Sequence, residues 1–444
     1  MRTASRLAAL LLVCASHPSA ATTYYVRQAT GDDTRDGMSP ATAWRHVDKL
    51  SRAMHAGDTA YVGPGLYREE IVVENDGAPD ARMVFVADTT GQHTGDLPGI
   101  VMLTGADPID ETIFAPAGSP GLYSAPMPER VWGAVEMDGP QFRYGGTQET
   151  KEHVIDKLSE RAVVARLPST YYYDEDVKVL YLHTSDGRPP SAHEIELIRR
   201  GSGVQVVGRH YVTVMAFTFR HMQDGCINFF KGSGDEAAIG NTAYGCRQGI
   251  RVYDAKNALI YGNTLFRNEN SGVYFAANST GAVAIGNVTY ENAKGLRWSS
   301  GSRDALVFDN VVFDNHERGI AIEETEGVLL RRNRLVSNAV SQLLVNHSTY
   351  GSESNCFETR GADGLVADFF PFQQTDRYRT LDEYRKAKGQ DLHSREGNCG
   401  PLPEKVDVGK LHADTLGYAE RVRAGGEDAV PEAPRGWLDW LFRR

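Results

Sequence analysis

Residues 240–276 read GNTAYGCRQGIRVYDAKNALIYGNTLFRNENSGVYFA, and the pattern inside them recurs about every 23 residues. The pair that precedes one short segment is Gly240-Asn241, then Gly262-Asn263, Gly286-Asn287, Asp309-Asn310 and Arg332-Asn333, so successive asparagines lie 22, 24, 23 and 23 residues apart. Five residues after each of them stands Cys246, Asn268, Asn292, Asn315 or Asn338. A second register is the glycine that opens the next segment: Gly225, Gly249, Gly272, Gly295 and Gly319, with Gln342 in the same place. Two registers sharing one period define a repeat architecture.

Each period holds short segments such as Gly249-Ile250-Arg251-Val252-Tyr253 and Gly319-Ile320-Ala321-Ile322-Glu323. Their alternation marks strands, and the Leu-x-x-Leu-x-Leu frame of leucine-rich repeats is missing. Short strands stacked about 4.8 Å apart make a parallel β-solenoid, an all-β fold. The recurring asparagines are read as scaffold, each side chain bonding backbone groups that a bend leaves unpaired.

Composition agrees with a folded, acidic chain. Of 444 residues, 41% are apolar and 24% charged, and 47 Lys+Arg against 58 Asp+Glu give a net charge of −11. That balance offers no basic surface for nucleic acid, and no apolar run reaches the ~18 residues of a transmembrane segment. Residues 1–21 read as a signal peptide: Arg2 and Arg6 are charged, Leu7 to Val13 are apolar, and small residues Ser19 and Ala21 precede Thr22. The chain is therefore expected to be exported, to the periplasm or beyond, as a monomer. Beyond the leader stand Cys226, Cys246, Cys356 and Cys399. Cys356 and Cys399 flank a long excursion and are expected to form a disulfide, contributing roughly 3–4 kcal/mol in the chain-entropy model. For Cys226 and Cys246, offset along the coil, two buried thiols and a bond are both open.

The N-terminal stretch fits the same architecture. Tyr24-Tyr25-Val26 reads as a strand, and Trp44, Val47, Leu50 and Met54 follow at helical spacing as a cap for the open end of the solenoid. The run continues through Gly57-Asp58-Thr59 to Gly65-Leu66-Tyr67-Arg68-Glu69. It resembles the opening of exported right-handed parallel β-helix proteins of the pectate-lyase-like superfamily. Tyr171-Tyr172-Tyr173-Asp174 with Val179-Leu180-Tyr181-Leu182 resembles a β-rich insertion of those proteins. Thr380 to Ser394, with Thr380 and Glu383 at capping-box spacing, resembles a helical segment near their C-terminal end. The resemblance implies the fold and a carbohydrate-active function, and it leaves the reaction open among polysaccharide lyases, epimerases, glycoside hydrolases and non-catalytic proteins.

The expected organisation is a cap and first coils over 22–124, a β-rich insertion over 125–200 and the main coils over 201–350. An excursion with a short helix follows over 351–400, then a linker and a Trp-rich tail over 401–444. The tail, Gly436-Trp437-Leu438-Asp439-Trp440-Leu441-Phe442-Arg443-Arg444, is expected to cover the C-terminal end of the solenoid, with a partner or membrane-surface contact as the alternative.

Strand alternation assigns faces. Counting from each repeat glycine, the first and third residues point in: Ile250 and Val252, Val273 and Phe275, Leu296 and Trp298, Ile320 and Ile322, Leu343 and Val345. The second and fourth point out, giving one ladder of Ile227, Arg251, Tyr274, Arg297, Ala321 and Leu344. Its neighbour is Phe229, Tyr253, Ala276, Ser299, Glu323 and Asn346. On this face Phe229 and Tyr253 offer flat surfaces to sugar rings, and Arg251, with Ser299, Asn346 and His347, completes a substrate-binding set. Arg251 and Arg297 are expected to hold a sugar carboxylate, Tyr274 to act as base or proton donor, and Glu323 to bind Ca²⁺ or orient an arginine. No cofactor motif stands out, and Glu323 with Glu324 is the pair that would hold Ca²⁺. Together these types suit a lyase or epimerase acting on a uronate polysaccharide. A glycoside hydrolase would need a second carboxyl group, and Ser299 and Asn346 occupy the neighbouring positions of Glu323, so Glu324 or Asp254 would have to serve. A glycan-binding or envelope-scaffolding solenoid is the non-catalytic alternative.

Overall fold

A computed structural model describes residues 21–137, 143–144, 160–359, 364–370 and 376–424. The expected leader, save Ala21, and the tail from Gly436 to Arg444 lie outside the described residues. Inside them the chain winds as a parallel β-solenoid. Each regular coil gives one strand to each of three ten-stranded sheets, named A, B and C in chain order. Sheet A runs from Thr23–Val26 to Tyr350–Glu353, sheet B from Gly65–Tyr67 to Arg395–Glu396, and sheet C from Ile71–Val73 to Asp376–Tyr378. Neighbours pair in parallel except at the end of sheet C, where Asp376–Tyr378 runs antiparallel to Leu365–Phe370.

The period near 23 becomes direct stacking. Ile250 aligns with Val273, Leu296, Ile320 and Leu343 on successive strands. These residues are fully buried, and one apolar cluster extends from Tyr24 to Tyr384.

Two asparagine ladders hold the bends between sheets. In the first, Asn263 Nδ2 donates to Asn287 Oδ1 at 3.0 Å, Asn287 to Asn310 at 3.0 Å and Asn310 to Asn333 at 2.9 Å. Asn333 passes the ladder on to Asn355, one coil beyond the sequence motif. In the second, Asn268, Asn292, Asn315 and Asn338 are joined in the same way. Asn287 also accepts from the Asn263 backbone N–H and donates to Ile260 O, all without exposure to water. Asn287→Ala therefore leaves several buried backbone and amide groups unpaired and is expected to cost on the order of 3 kcal/mol, read as a lower urea midpoint.

One coil departs from the predicted register. Gly225 pairs with Gln248 rather than with Gly249, so Ile227 faces Ile250 and Phe229 faces Val252. Ile227 and Phe229 are thus fully buried in the core, and the outward positions belong to Asn228 and Phe230. The glycine stands one residue early here, and counting from it turns every side chain to the wrong face.

Both ends of the solenoid are covered. At the N-terminal end a 3₁₀ turn, Val47–Lys49, runs into one helical turn, Leu50–Ala53. Val47, Leu50 and Met54 enter the core, while Trp44 precedes the helix and stacks on Tyr24 at 5.1 Å. At the other end the helix Leu381–Lys388, with a complete Thr380/Glu383 capping box, inserts Leu381 and Tyr384 into the same core. The departure from the coils begins at Ala106, ahead of residue 125, and builds a three-stranded and a five-stranded sheet before Val204–Val207 resumes the solenoid. Glu196 of this insertion meets Arg68 Nη2 at 2.7 Å and Arg220 Nη2 at 3.4 Å.

Cys356–Cys399 and Cys226–Cys246 are both disulfides, which resolves the open alternative for the second pair. Oxidised cysteines belong to an exported protein. After Cys399 the chain doubles back along the outside of sheet B. There it covers a stack of Tyr244, Phe266, Tyr290 and Phe313 whose rings lie 4.9–5.1 Å apart. Lys405 pairs with Glu291 and Asp314, and the Val406 N–H donates to Tyr290 Oη at 2.8 Å. The helix Val408–Ala424 continues this strap, with His412 Nδ1 at 2.9 Å from Arg220 Nη1.

A charged residue interrupts the core column that starts the sheet A strands. Glu236 takes the place filled by Val212 and Ala258 on the adjacent coils. It is 1% exposed and neither carboxylate oxygen has a hydrogen-bond partner among the described residues. Burial pushes its carboxyl up to about 8. The folded protein therefore prefers the neutral acid, and stability is full below the ordinary carboxylate range and falls as pH rises toward 8. Glu236→Gln is expected to remove this slope, about 1.4 kcal/mol per pH unit across that window, so unfolding titrations at pH 5 and pH 8.5 should differ less in the variant.

Candidate active site

The outer face of sheet C carries the polar chemistry. Strand pairing stacks Asn228, Arg251, Tyr274, Arg297, Ala321, Leu344 and Asp368 in one column. Phe230, Tyr253 and Ala276 form the next. A third, closer to the strand starts, holds Gln248, Ser271, Lys294, Arg318 and Ser341.

At the centre, Arg297, Tyr274, Ser299 and Glu323 come together as the sequence predicts. The Arg297 guanidinium lies over the Tyr274 ring at 5.0 Å, and its Nε donates to Glu323 Oε2 at 2.5 Å. Ser299 Oγ donates to Tyr274 Oη at 3.0 Å. Arg297 and Glu323 are 22% and 20% exposed, half sunk in the face and still reachable. Because only Nε is engaged, the terminal Nη1 and Nη2 of Arg297 have no protein partner among the described residues. A guanidinium held through Nε keeps its paired terminal donors for another acceptor, and such a pair suits a carboxylate bound by two parallel bonds.

On one flank Arg251 is pinned to Asp224 Oδ2 and lies over the rings of Phe230 and Tyr253 at 4.9 and 4.5 Å. On the other flank Lys294 Nζ donates to Glu317 Oε2 at 2.6 Å, and Arg318 Nη2 donates to Asp368 Oδ2 at 3.1 Å. Partial burial raises the Glu317 carboxyl, and the Lys294 ammonium more than reverses this, leaving it below its ordinary value.

The other predicted residues separate from this centre. Phe229 is in the core, and Phe230 takes its aromatic role on the surface. Asn346 faces Glu323 on the next strand. Asp254, Glu324 and His347 lie at turns in the left-handed region, with φ of 52°, 54° and 43°. Glu324 and His347 line a cleft of about 400 Å³, with Arg303 and Glu326, where strands of sheet C turn toward sheet A. Glu323 is already committed to Arg297, and among the described residues no three His, Cys, Asp or Glu side chains converge on one point. The donor set does not fit Ca²⁺, which takes six to eight oxygens.

Sequence reasoning missed Asp224, Phe230, Glu317 and Asp368. Asp224 and Glu317 share a legible signal, an acid in the turn just before a sheet C strand. Asp368 has none, because its coil keeps Asn355 but has neither the second asparagine nor the glycine that marks the sheet C strand.

Comparison with known proteins gives the same architecture. The chain is a right-handed parallel β-helix protein. The family described as periplasmic copper-binding protein (NosD) matches residues 184–356, the end of the insertion and most of the regular coils, a minority of the chain. A solved structure of XylC in complex with xylose is 17% identical, with a TM-score of 0.53 over 79% of this chain and 72% of that one. A structure described as a glycoside hydrolase is 10% identical, with a TM-score of 0.51 over 79% and 95%. At these identities the likeness shows the fold alone. No protein of curated function matches the sequence. Among the described residues of this β-helix no helix is long and apolar enough to cross a membrane.

Proposed function

We propose that the protein is an exported enzyme acting on a uronate-containing polysaccharide, by β-elimination or by epimerisation at C5. The observation that carries this reading is the Tyr274–Arg297–Glu323 arrangement, in which a guanidinium fixed through Nε keeps its terminal edge for an anion beside a phenol oxygen. The terminal nitrogens of Arg297 take the sugar carboxylate and draw electron density from it, which acidifies the proton on C5. Tyr274 Oη, reacting as the phenolate, takes that proton, with the Ser299 hydroxyl donating to it. The proton then passes from Tyr274 to the 4-linked oxygen as it leaves, giving a C4=C5 double bond, or a water protonates the other face of C5 and gives the epimer. Arg251, Phe230 and Tyr253 support adjoining sugar rings through a cation and two flat faces.

Copper enters only through the description of the NosD family. The four cysteines outside the leader are oxidised, and no His, Cys, Asp and Glu cluster of three forms among the described residues. The residues described do not fit a copper centre of thiolate and imidazole ligands.

Hydrolysis is the second reading, favoured by Glu323 lying next to the cleft that Glu324 and Glu326 line. A panel of polysaccharides decides between them. Absorbance from a new double bond on uronate polymers, or interconversion at C5 seen by NMR, supports the proposal. New reducing ends without that absorbance mean hydrolysis, and binding with no turnover means a glycan-binding solenoid.

A further inference from the structure

The arginines on the outer face of sheet C are of two kinds. Arg318 is fully engaged: its Nε and Nη2 donate to Asp368 Oδ2 at 3.3 and 3.1 Å, and its Nη1 lies 3.6 Å from Glu317 Oε2. Arg27 and Arg332, elsewhere on the β-helix, each give two nitrogens to one carboxylate in the same manner. Arg297, by contrast, is held through Nε alone, and Arg251 through Nη1 alone, to Asp224. The surroundings of Arg251 are under-bonded as well. Asn228 stands beside it in the column, and the Gln248 N–H donates to Asp224 O at 3.4 Å. Asn228 Oδ1, Gln248 Oε1, Asp224 Oδ1 and Arg251 Nε are buried and have no hydrogen-bond partner among the described residues. Buried polar atoms are nearly always paired, so four orphans beside one guanidinium point to a site and not to a scaffold contact.

Both under-bonded arginines belong to one column, with Tyr274 between them on the intervening strand. Two strand spacings set them about 9.6 Å apart. The tips keep that separation, because each guanidinium leans toward the preceding coil: Arg297 over the Tyr274 ring at 5.0 Å, Arg251 over the Phe230 ring at 4.9 Å. One carboxylate cannot serve both. Nor does the column offer a further charge next to them, since Asn228 precedes Arg251 and Ala321 follows Arg297. A pyranose ring with its linking oxygen is about as long as one strand spacing. An extended glycan lying across the strands therefore meets a cation, a phenol and a cation with three consecutive rings.

We propose that Arg251 and Arg297 bind two carboxylates of one chain, on rings two apart, and so select polymers that present a carboxylate to sheet C at every second ring. This deepens the uronate reading of the site and rests on it. A homouronate whose successive rings face opposite ways meets the condition, and so does a chain in which a uronate alternates with an uncharged sugar. Each guanidinium takes its carboxylate with the nitrogens that its own acid leaves unused. Arg251 then sets specificity at a distance from the C5 proton, and Asp224 positions it.

Calorimetric binding of uronate oligosaccharides to the full-length Tyr274→Phe protein, which turns them over slowly, tests this. The probes are ladders of oligomannuronate, of oligogalacturonate and of glucuronate alternating with N-acetylglucosamine. Lengthening from two rings to three is expected to tighten binding about 10-fold or more, because the second carboxylate then reaches its arginine. A fourth ring is expected to add little. Adding Arg251→Gln is expected to abolish the three-ring step and leave the two-ring affinity unchanged. Arg251→Lys keeps the charge opposite Asp224 but offers one nitrogen in place of a fork, so its step is expected to shrink while its melting follows the parent. That variant keeps a folding defect in Arg251→Gln from blurring the result. Whether the step appears with the homouronates or with the alternating ladder distinguishes the two sources. An undiminished step in both Arg251 variants, or an even gain with every ring, overturns the proposal and leaves the uronate reading in place. Failure of all three ladders to bind at any length overturns that reading and this inference with it.

Discussion

Replacing Tyr274 by Phe is expected to lower turnover on a uronate polymer by about 10²–10⁴-fold, the range for removal of a positioned proton-transfer group, with KM little changed. Arg297→Ala is expected to raise KM and lower kcat together, because the carboxylate contact serves both the bound substrate and the developing carbanion. Arg297→Lys should not restore activity, since an ammonium cannot lie flat on the Tyr274 ring, keep Glu323 through one nitrogen and still offer two parallel donors. Glu323→Gln keeps the shape and loosens the arginine, so its loss falls between the two. All three side chains point out from sheet C, and the four variants should melt with the parent protein. Activity that survives Arg297→Ala but not Glu323→Gln would reverse the roles and bring hydrolysis forward.

Glu196→Ala is expected to be the most damaging single change to stability, about 3–5 kcal/mol, because it removes the countercharge from a fully buried arginine. Arg220 is without exposure to water and bonds Glu196 from the insertion and His412 from the strap. Three parts of the chain far apart in sequence meet at that guanidinium. A solenoid loses stability locally, coil by coil. Hydrogen exchange should therefore rise in the insertion strands Gly133–Glu136 and Ile195–Ile198 and in the helix Val408–Ala424 before it rises in the coils around Asn287. Uniform loosening of every coil would contradict the view that this cluster ties the accessory parts to the β-helix.

The coils were legible because each repeats a local rule: an asparagine where the bend leaves donors unpaired, a glycine where a side chain would strike the next backbone. At Gly249 a Cβ would stand 2.5 Å from Gly272 O, which is why that register holds glycine. The same rule misled at Gly225, where the glycine and the strand phase come apart by one residue and Phe229 turns inward. The central site was half legible. Tyr274, Arg297, Ser299 and Glu323 follow from alternation, whereas Glu317 and Asp224 stand in turns where alternation assigns no face. Asp368 belongs to a coil that lacks the glycine from which the faces are counted.

Sequence alone determined the period, the strand character and the outward column of Tyr274 and Arg297, because a coil's neighbours in space are its neighbours one period away in the chain. Only the tertiary structure decided which cation meets which carboxylate, that the strap returns over sheet B, and that Arg220 joins insertion, coil and helix. Those contacts link residues separated by irregular stretches, and no repeat length carries information about where such a stretch comes to rest.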